Sequence, residues 1–367
     1  MKLALVISSL RGGGAERVLT TVAEELAASG HEVTVITESS AEHDHYRLGP
    51  GVCRIALDVE WETSTWARKL VANLRRLRRL RKGIVAVAAE RVIVFGETTN
   101  LRTLLACLGT GVPVIVSERV DPRRYRIPRA WEWLRRRLYP HAAAVVVQTE
   151  AVAQWARSFV APARVHVIPN PARVPRPGAP RHHLLPSGKI VVAVGRLTEQ
   201  KGFPLLIEAF ARAGLRKDGW HLVILGEGPG RVAIEAQVRD LGLQDSVSLP
   251  GLVAAPEDWL HHADLFVLSS LFEGFPNALL EAMACGVAAI AFDCPSGPAE
   301  IIRHDQTGLL LPTSDVGALA AALRNLADDP QRRDRLARAA REDVTTRFAL
   351  NTVMKQWQLV LSTVERE

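Results

Sequence analysis

Glu273 and Glu281 stand with seven residues between them, Gly274-Phe-Pro-Asn-Ala-Leu-Leu280. A short apolar run, Asp264 to Ser270, precedes them and another, Val287 to Phe292, follows, so both runs read as buried strands and the stretch between as a loop and a helix. Gly274 frees the loop backbone, and Pro276 suits a first helical turn. The amides of Asn277, Ala278 and Leu279 are then unpaired donors at the positive end of the helix. Such an end is a seat for a phosphate. Two carboxylates on either side of it can hold hydroxyls, one on a sugar and one on a ribose, which together describe a nucleotide-sugar. The alternative is that Glu273 is a loop acid and Glu281 lies on a solvated helix face; spacing alone does not separate the two.

A second set of groups suits the same ligand. The strand Lys189 to Val194 runs into Gly195-Arg-Leu-Thr-Glu-Gln-Lys-Gly202 before a helix from Pro204 to Ala213, which puts Arg196 and Lys201 at the carboxyl edge of a sheet. Two cations there can clamp a diphosphate whose charge grows as it leaves. No D-x-D triplet is present to hold a divalent metal, and none is expected.

These groups need a scaffold, and the chain supplies two halves of it. Lys2 to Ser8 reads as a strand, Gly12-Gly-Gly-Ala-Glu-Arg-Val18 turns into a helix running to about Ser29, and Glu32 to Thr37 is the next strand. That is a βαβ unit, whose glycine turn lies at the carboxyl edge of a parallel sheet. It is not the G-x-G-x-x-G fingerprint, so a dinucleotide is disfavoured. Val92 to Phe95, Val114 to Val116, Ala144 to Val147 and Val165 to Ile168 continue the pattern, with Gly96-Glu-Thr-Thr-Asn100, Ser117-Glu-Arg119 and Gln148-Thr-Glu150 at the ends of the first three. A proline-rich stretch without periodicity, Val174 to Pro186, marks a linker. Trp220 to Leu225, followed by Gly226-Glu-Gly-Pro-Gly230, and Val247 to Leu249 read as strands of the second half. Three helical stretches close the chain, the last from about Thr345 to Glu365.

Glu273 and Glu281 with their intervening residues resemble the E-x7-E signature of retaining glycosyltransferases of family 4, and Gly195-Arg-Leu to Lys201-Gly resembles that family's G-R-L-x-x-x-K-G motif. The similarity runs nearly end to end. It implies the GT-B fold: an α/β chain with two Rossmann-like parallel-sheet domains facing a cleft. The acceptor-side domain would cover residues 1–171, the linker 172–188 and the nucleotide-sugar domain 189–344, with a helix at 345–367 crossing back to the first. It further implies that Arg196 and Lys201 bind the donor diphosphate, that Glu273 positions the donor sugar, and that Gly274, Phe275, Pro276, Asn277, Ala278, Leu279 and Glu281 line the donor. Gly13 and Gly14 would approach the phosphate, while Leu252 and Val253 would lie along the base. Glu16 and Arg17 sit beside this loop; the other reading is a first-turn acid and its neighbour. Many members have Ser-Glu-His where this chain has Ser117-Glu118-Arg119, so no histidine role carries over. Arg119 would instead offer hydrogen bonds to sugar hydroxyls or an acceptor phosphate, with Glu118 beside it or in a strand-end ion pair.

The implied activity is metal-independent, retaining transfer of a hexose or N-acetylhexosamine, from a UDP-sugar first and GDP-mannose second. The acceptor would be a membrane lipid-linked saccharide in polysaccharide or glycan assembly, and no cofactor is needed. Rival readings are a non-catalytic nucleotide-sugar or membrane-surface scaffold, a GT-B epimerase or phosphorylase, and a Rossmann oxidoreductase.

A length of 367 residues suits two domains, and 48% apolar with 23% charged residues suits a globular protein. No apolar run reaches the length of a membrane span, and the first residues read as a strand rather than a signal peptide. The scattered Cys53, Cys107, Cys285 and Cys294 form no metal spacing and read as buried reduced thiols. Charge is uneven: residues 1–180 carry 27 Lys and Arg against 16 Asp and Glu, and the remainder 19 against 23. From Thr65 to Gly83, Trp66, Leu70, Leu74, Leu77 and Leu80 recur at helical spacing among Arg68, Lys69, Arg75, Arg76, Arg78, Arg79, Arg81 and Lys82. A second basic and aromatic patch holds Arg123 to Arg126 and Trp131-Glu-Trp133 to Tyr139. Both suit an anionic membrane surface, which places the chain in the cytoplasm, peripheral on the inner face of the cell membrane. The other reading is core leucines and tryptophans with solvated arginines. Nucleic acid is not expected, since no recognised module is visible.

Overall fold

The computed structural model describes residues 1–59, 66–173 and 182–364, with the backbone alone over 66–70. Expectations resting on Thr65, on the side chains of Trp66, Arg68, Lys69 and Leu70, on the proline-rich stretch 174–181 and on Glu365 lie outside the described residues. The chain forms two compact units: Met1–Asn170 with Val353–Glu367, and Pro171–Thr352.

The first unit is built on β1 (Lys2–Ile7), β2 (Glu32–Thr37), β3 (Val52–Ala56), β4 (Arg91–Phe95), β5 (Val114–Ser117), β6 (Ala144–Val147) and β7 (Val165–Val167), in spatial order β3-β2-β1-β4-β5-β6-β7. Every pairing is parallel, with Ala4 opposite Thr34 on one side and Val92 on the other. Leu3 to Ile7 show no polar alternation because helices cover both faces of the sheet, and all five are at most 2% exposed. β3 escaped the sequence reading because Val52-Cys-Arg-Ile-Ala56 is an edge strand without an apolar run. Its position also leaves Cys53 exposed, contrary to the buried thiol expected, while Cys107 and Cys294 are buried and Cys285 is partly so.

Helices α1 (Gly14–Ala28), α2 (Trp66–Ala86), α3 (Glu97–Cys107), α4 (Arg129–Leu138) and α5 (Glu150–Arg157) link these strands. The buried line of α2 keeps Leu77 and Leu80 of the leucine stripe read from the sequence but not Leu74. Ala72, Leu80 and Ile84 are buried, whereas Val71 and Leu74 are 49% and 47% exposed. Gly83 lies on the buried line, where a Cβ would already meet Leu57 at 3.4 Å, so the helix packs through its small residues.

The second unit carries β8 (Lys189–Val194), β9 (Trp220–Leu225), β10 (Val247–Gly251), β11 (Leu265–Leu268), β12 (Ala288–Phe292) and β13 (Leu309–Leu311), ordered β10-β9-β8-β11-β12-β13 and again parallel. Its helices are α6 (Phe203–Arg212), α7 (Arg231–Asp240), α8 (Pro256–Leu260), α9 (Asn277–Ala284), α10 (Pro298–Ile301), α11 (Val316–Asp328) and α12 (Pro330–Arg347). Trp220, Phe203, Phe210 and Leu206 fill one face of the sheet and Phe266, Trp259, Leu279 and Met283 the other.

The chain ends in α13 (Leu350–Thr363). A continuous helix from Thr345 is not formed: Thr345 lies in the last turn of α12, which ends at Arg347, and Phe348 leaves helical geometry at φ −112° and ψ 20°. Its carbonyl accepts the Ala172 amide at 2.7 Å, a bond made outside any helix. From Val353 onward α13 belongs to the first unit, where Trp357 stacks on Phe95 at 5.9 Å and Arg91 Nε donates to the Leu361 carbonyl at 3.3 Å.

Candidate active site

Because every strand of the second sheet is parallel, the loops after β8, β9, β11 and β12 leave at one edge. Backbone bonds lace them together. The Leu197 amide donates to the Glu227 carbonyl at 2.9 Å and its carbonyl accepts from Gly230 at 2.8 Å, tying the first loop to the second. The Leu271 amide donates to the Gln200 carbonyl at 2.8 Å, Gln200 Nε2 donates to the Phe272 carbonyl at 2.9 Å and Ser269 Oγ to the Lys201 carbonyl at 2.8 Å, tying the first to the third. Such close passage excludes side chains. A Cβ at Gly202, held at φ +60°, would overlap the Ser269 carbonyl, and one at Gly226, held at φ +138°, the Gly195 carbonyl.

At the centre of this lacing Lys201 Nζ donates to Glu273 Oε1 at 2.6 Å, and Ser270 Oγ donates to the same oxygen at 2.6 Å. The two side chains are 17% and 8% exposed, so the pair is largely withdrawn from water. Glu281, on α9, is buried at 8% rather than on a solvated face. Arg196 lies exposed in the same loop as Lys201, and no acceptor takes its guanidinium among the described residues. Phe275 is buried, its ring edge-on to Phe348 at 5.6 Å, while Gly274 is held by Ser296 Oγ, which donates to its carbonyl at 3.3 Å. Leu252 is 71% exposed just after β10, and Val253 is half-buried against the core.

The helix start departs from the sequence reading in two ways. Pro276 caps α9 instead of entering its first turn, at φ −75° and ψ 95°. Its carbonyl takes the Leu279 amide at 3.1 Å and the Leu280 amide at 3.2 Å, so Leu279 is not a spare donor. Ala278 remains without an acceptor on its amide among the described residues, two positions past the cap. Ser270, Gln200 and Ser296 were missed. A Ser three residues before Glu273, at the end of the strand, was the only trace of the first; the other two act across loops far apart in sequence.

The first unit presents its own carboxyl edge. Gly13 caps α1 in extended geometry and Gly14 begins it. Glu16 folds back on Gly13, where a Cβ would collide with its carboxylate, and Ser9 Oγ donates to Glu16 Oε1 at 3.3 Å. Arg17 stands half-buried in the same first turn, its amide on the Gly13 carbonyl at 3.2 Å.

Glu118 and Arg119 both turn inward, at 1% and 9% exposure. The Glu118 side chain has no exposure, accepts from Tyr139 Oη and lies 3.4 Å from Arg135 Nε, which is the strand-end ion pair. Burial pushes its carboxyl up to about 7, against the pull of Arg135 and Tyr139. Arg119 lies over the Phe95 ring at 3.8 Å, and burial brings its guanidinium down to about 9.

The basic patches also divide. Arg76 Nε donates to the Val59 carbonyl at 2.8 Å, and Arg79 Nη1 to the carbonyls of Leu57 and Asp58 at 2.9 and 3.2 Å. Arg75, Arg78 and Lys82 are exposed. Trp131 is packed against the core, whereas Trp133 is 61% exposed beneath Arg137. No helix among the described residues is long and apolar enough to cross a membrane.

Comparison with known proteins places this geometry. Residues 12–174 match the model for Glycosyltransferase Family 4 and residues 180–343 that for Glycosyl transferases group 1. A Campylobacter jejuni α-1,4-N-acetyl-D-galactosaminyltransferase, named for an undecaprenol-diphosphate-linked saccharide, is 27% identical over 100% of this chain and 99% of its own. An exopolysaccharide phosphotransferase of Streptomyces coelicolor is 38% identical over 60% of this chain, and the matched part spans 23% of that protein. Among solved structures, sucrose-phosphate synthase from Thermosynechococcus elongatus superposes with a TM-score of 0.86 at 21% identity over 98% of both chains. Anabaena HepE in complex with UDP superposes at 0.81 with 17% identity, over 99% of this chain and 100% of that one. Two parallel sheets of Rossmann type, the terminal helix on the first unit and both matched models agree: the chain is a GT-B protein that belongs to the glycosyltransferases, with a family 4 first half and a group 1 second half.

Proposed function

We propose that the chain transfers a hexose or N-acetylhexosamine, with retention at the anomeric carbon and without a metal, from a nucleoside-diphosphate sugar to a membrane lipid-linked saccharide. The observation that carries this reading is the cluster of Lys201, Glu273 and Ser270 laced beside the start of α9. An ammonium has three protons and Glu273 takes one, so Lys201 can hold a diphosphate oxygen while still fixing the carboxylate. Arg196 supplies a second charge from the same loop, and the α9 amide at Ala278 a third donor. Charge that develops on the departing diphosphate is met by groups already in place. Glu273 then orients the donor sugar and Glu281 the ribose. The deprotonation of the acceptor hydroxyl falls to the leaving phosphate.

A UDP-sugar is the favoured donor, with GDP-mannose second, since HepE is described with UDP. The lipid-linked acceptor draws on the names of the Campylobacter relatives and on the exposed face of Arg75, Arg78, Lys82, Trp133 and Arg137. Such a face suits an anionic leaflet, and the chain would work peripherally on the inner side of the cell membrane.

Calorimetric titration with UDP, GDP, ADP and NAD tests the donor class. One nucleoside diphosphate should bind, and Glu281→Ala should weaken it about ten- to a hundredfold, the worth of a hydrogen bond to a charged group. Glu273→Gln should bind that nucleotide and lose turnover. Binding of NAD alone, or full transfer by the Glu273 variant, would remove the reading.

A further inference from the structure

Arg119 is a buried cation without an acid among the described residues. Its Nη1 donates to Asn170 Oδ1 at 2.9 Å, an oxygen that also accepts from Gln148 Nε2 at 2.7 Å. Nε and Nη2 are enclosed, and no acceptor takes them among the described residues. In place of a carboxylate the guanidinium has two ring faces, Phe95 at 3.8 Å and Trp357 at 5.8 Å. Burying a charge this way is costly, and stacking on aromatic rings offsets only part of that cost. The two partners it holds have one thing in common. Asn170 is the residue at which the chain leaves the first unit, and Trp357 lies on the helix by which it returns.

The same two crossings are joined on the other side. The Ala172 amide donates to the Phe348 carbonyl at 2.7 Å within the second unit, and only Pro171 separates Ala172 from Asn170. Phe348 packs edge-on against Phe275, the residue two positions after Glu273. The chain passes from one unit to the other at these two places, after Asn170 and after Thr352.

We infer that Arg119 is a positioning residue, a clasp that fixes both crossings to the first unit, and that Phe275 links those crossings to the loop carrying Glu273. The inference rests, for its second half, on the donor reading of that loop. Occupation of the loop by a nucleoside diphosphate shifts Phe275, and Phe275 bears on Phe348 at the crossing whose continuation, from Val353 onward, Arg119 holds on the first unit.

Amide hydrogen exchange with and without UDP, run beside transfer kinetics, tests this on the full chain. Arg119→Met keeps the bulk of the stack and removes the charge and the bond to Asn170. It should raise exchange about tenfold or more in peptides spanning Asn170–Ala172 and Phe348–Trp357, leaving the β1 and β8 strands unchanged. Its kcat should fall about tenfold while UDP affinity moves by less than about twofold. Arg119→Lys, which keeps a cation over the rings, should fall between, and it carries the test if Arg119→Met does not fold. UDP should slow exchange at Phe348–Trp357 in the unsubstituted chain and fail to do so in Phe275→Leu. Uniformly faster exchange in Arg119→Met would reduce Arg119 to a stability residue and overturn the clasp. So would a raised KM for the acceptor with kcat and local exchange unchanged, which would put Arg119 on the acceptor. Failure of any nucleotide to bind the unsubstituted chain would remove the donor reading and the Phe275 link. The clasp itself would still be decided by the ligand-free exchange of Arg119→Met.

Discussion

Lys201 and Glu273 lie far apart in sequence yet end 2.6 Å apart, and the backbone that allows this contains Gly202. Gly202→Ala would set a Cβ onto the Ser269 carbonyl at a φ of +60°, so the loops must part. Nucleotide binding should fall at least about tenfold, read by calorimetry, with a stability loss of about 1–3 kcal/mol read by denaturant melts. Glu118 makes a different prediction at the same scale. Burial raises its carboxyl from 4.5 to about 7, with Arg135 and Tyr139 opposing and Glu97 and Glu132 reinforcing. The folded state therefore holds this proton more tightly than the unfolded chain, so the carboxyl's contribution to stability is full below about pH 4.5. It declines as pH rises towards 7 and is flat above. Glu118→Gln should gain on the unsubstituted chain as pH moves from 5 to 8, in paired denaturant melts. A constant gap would show that Arg135 and Tyr139 keep Glu118 ionised throughout.

The arginines of α2 look interchangeable along the sequence, but the element separates them by direction. Arg76 and Arg79 return to the carbonyls of Leu57, Asp58 and Val59 at the end of β3, whereas Arg78 and Lys82 face outward. Arg76→Ala should cost about 1–3 kcal/mol, since it removes a charged donor from a carbonyl. Arg78→Ala with Lys82→Ala should leave melting unchanged within about 0.5 kcal/mol and reduce sedimentation with anionic vesicles at low salt. Equal vesicle binding by the double variant at every salt concentration would end the membrane reading of this face. At the start of α9, Pro276 is the cap rather than a first-turn residue, and its carbonyl closes the first turn through Leu279 and Leu280. The helix thus offers fewer amides than its residue types suggested.

On the scale of the molecule, the first unit is completed by a helix from the far end of the chain. Trp357 is 1% exposed and stacked on Phe95. Trp357→Ala should remove about 3–5 kcal/mol from the first unit alone. Calorimetry would then resolve an early transition for that unit with the second unmoved, and a joint shift of both would contradict the division.

The sequence by itself determined the class of each segment. Apolar runs of strand length between helical stretches can bury both faces only in parallel sheets, and paired motifs in order identified the family from local residue types. Glu273, Lys201, Arg196 and the α9 start were legible because each lies in a short contiguous stretch. Tertiary structure alone decided what those groups touch. The edge strand β3, the break at Phe348, the outward Leu74 of α2 and the inward turn of Glu118 and Arg119 all depend on neighbours distant along the chain. Arg119 shows the reason most plainly: nothing local to a strand end says that its guanidinium lies against the rings of Phe95 and Trp357, which are 262 positions apart.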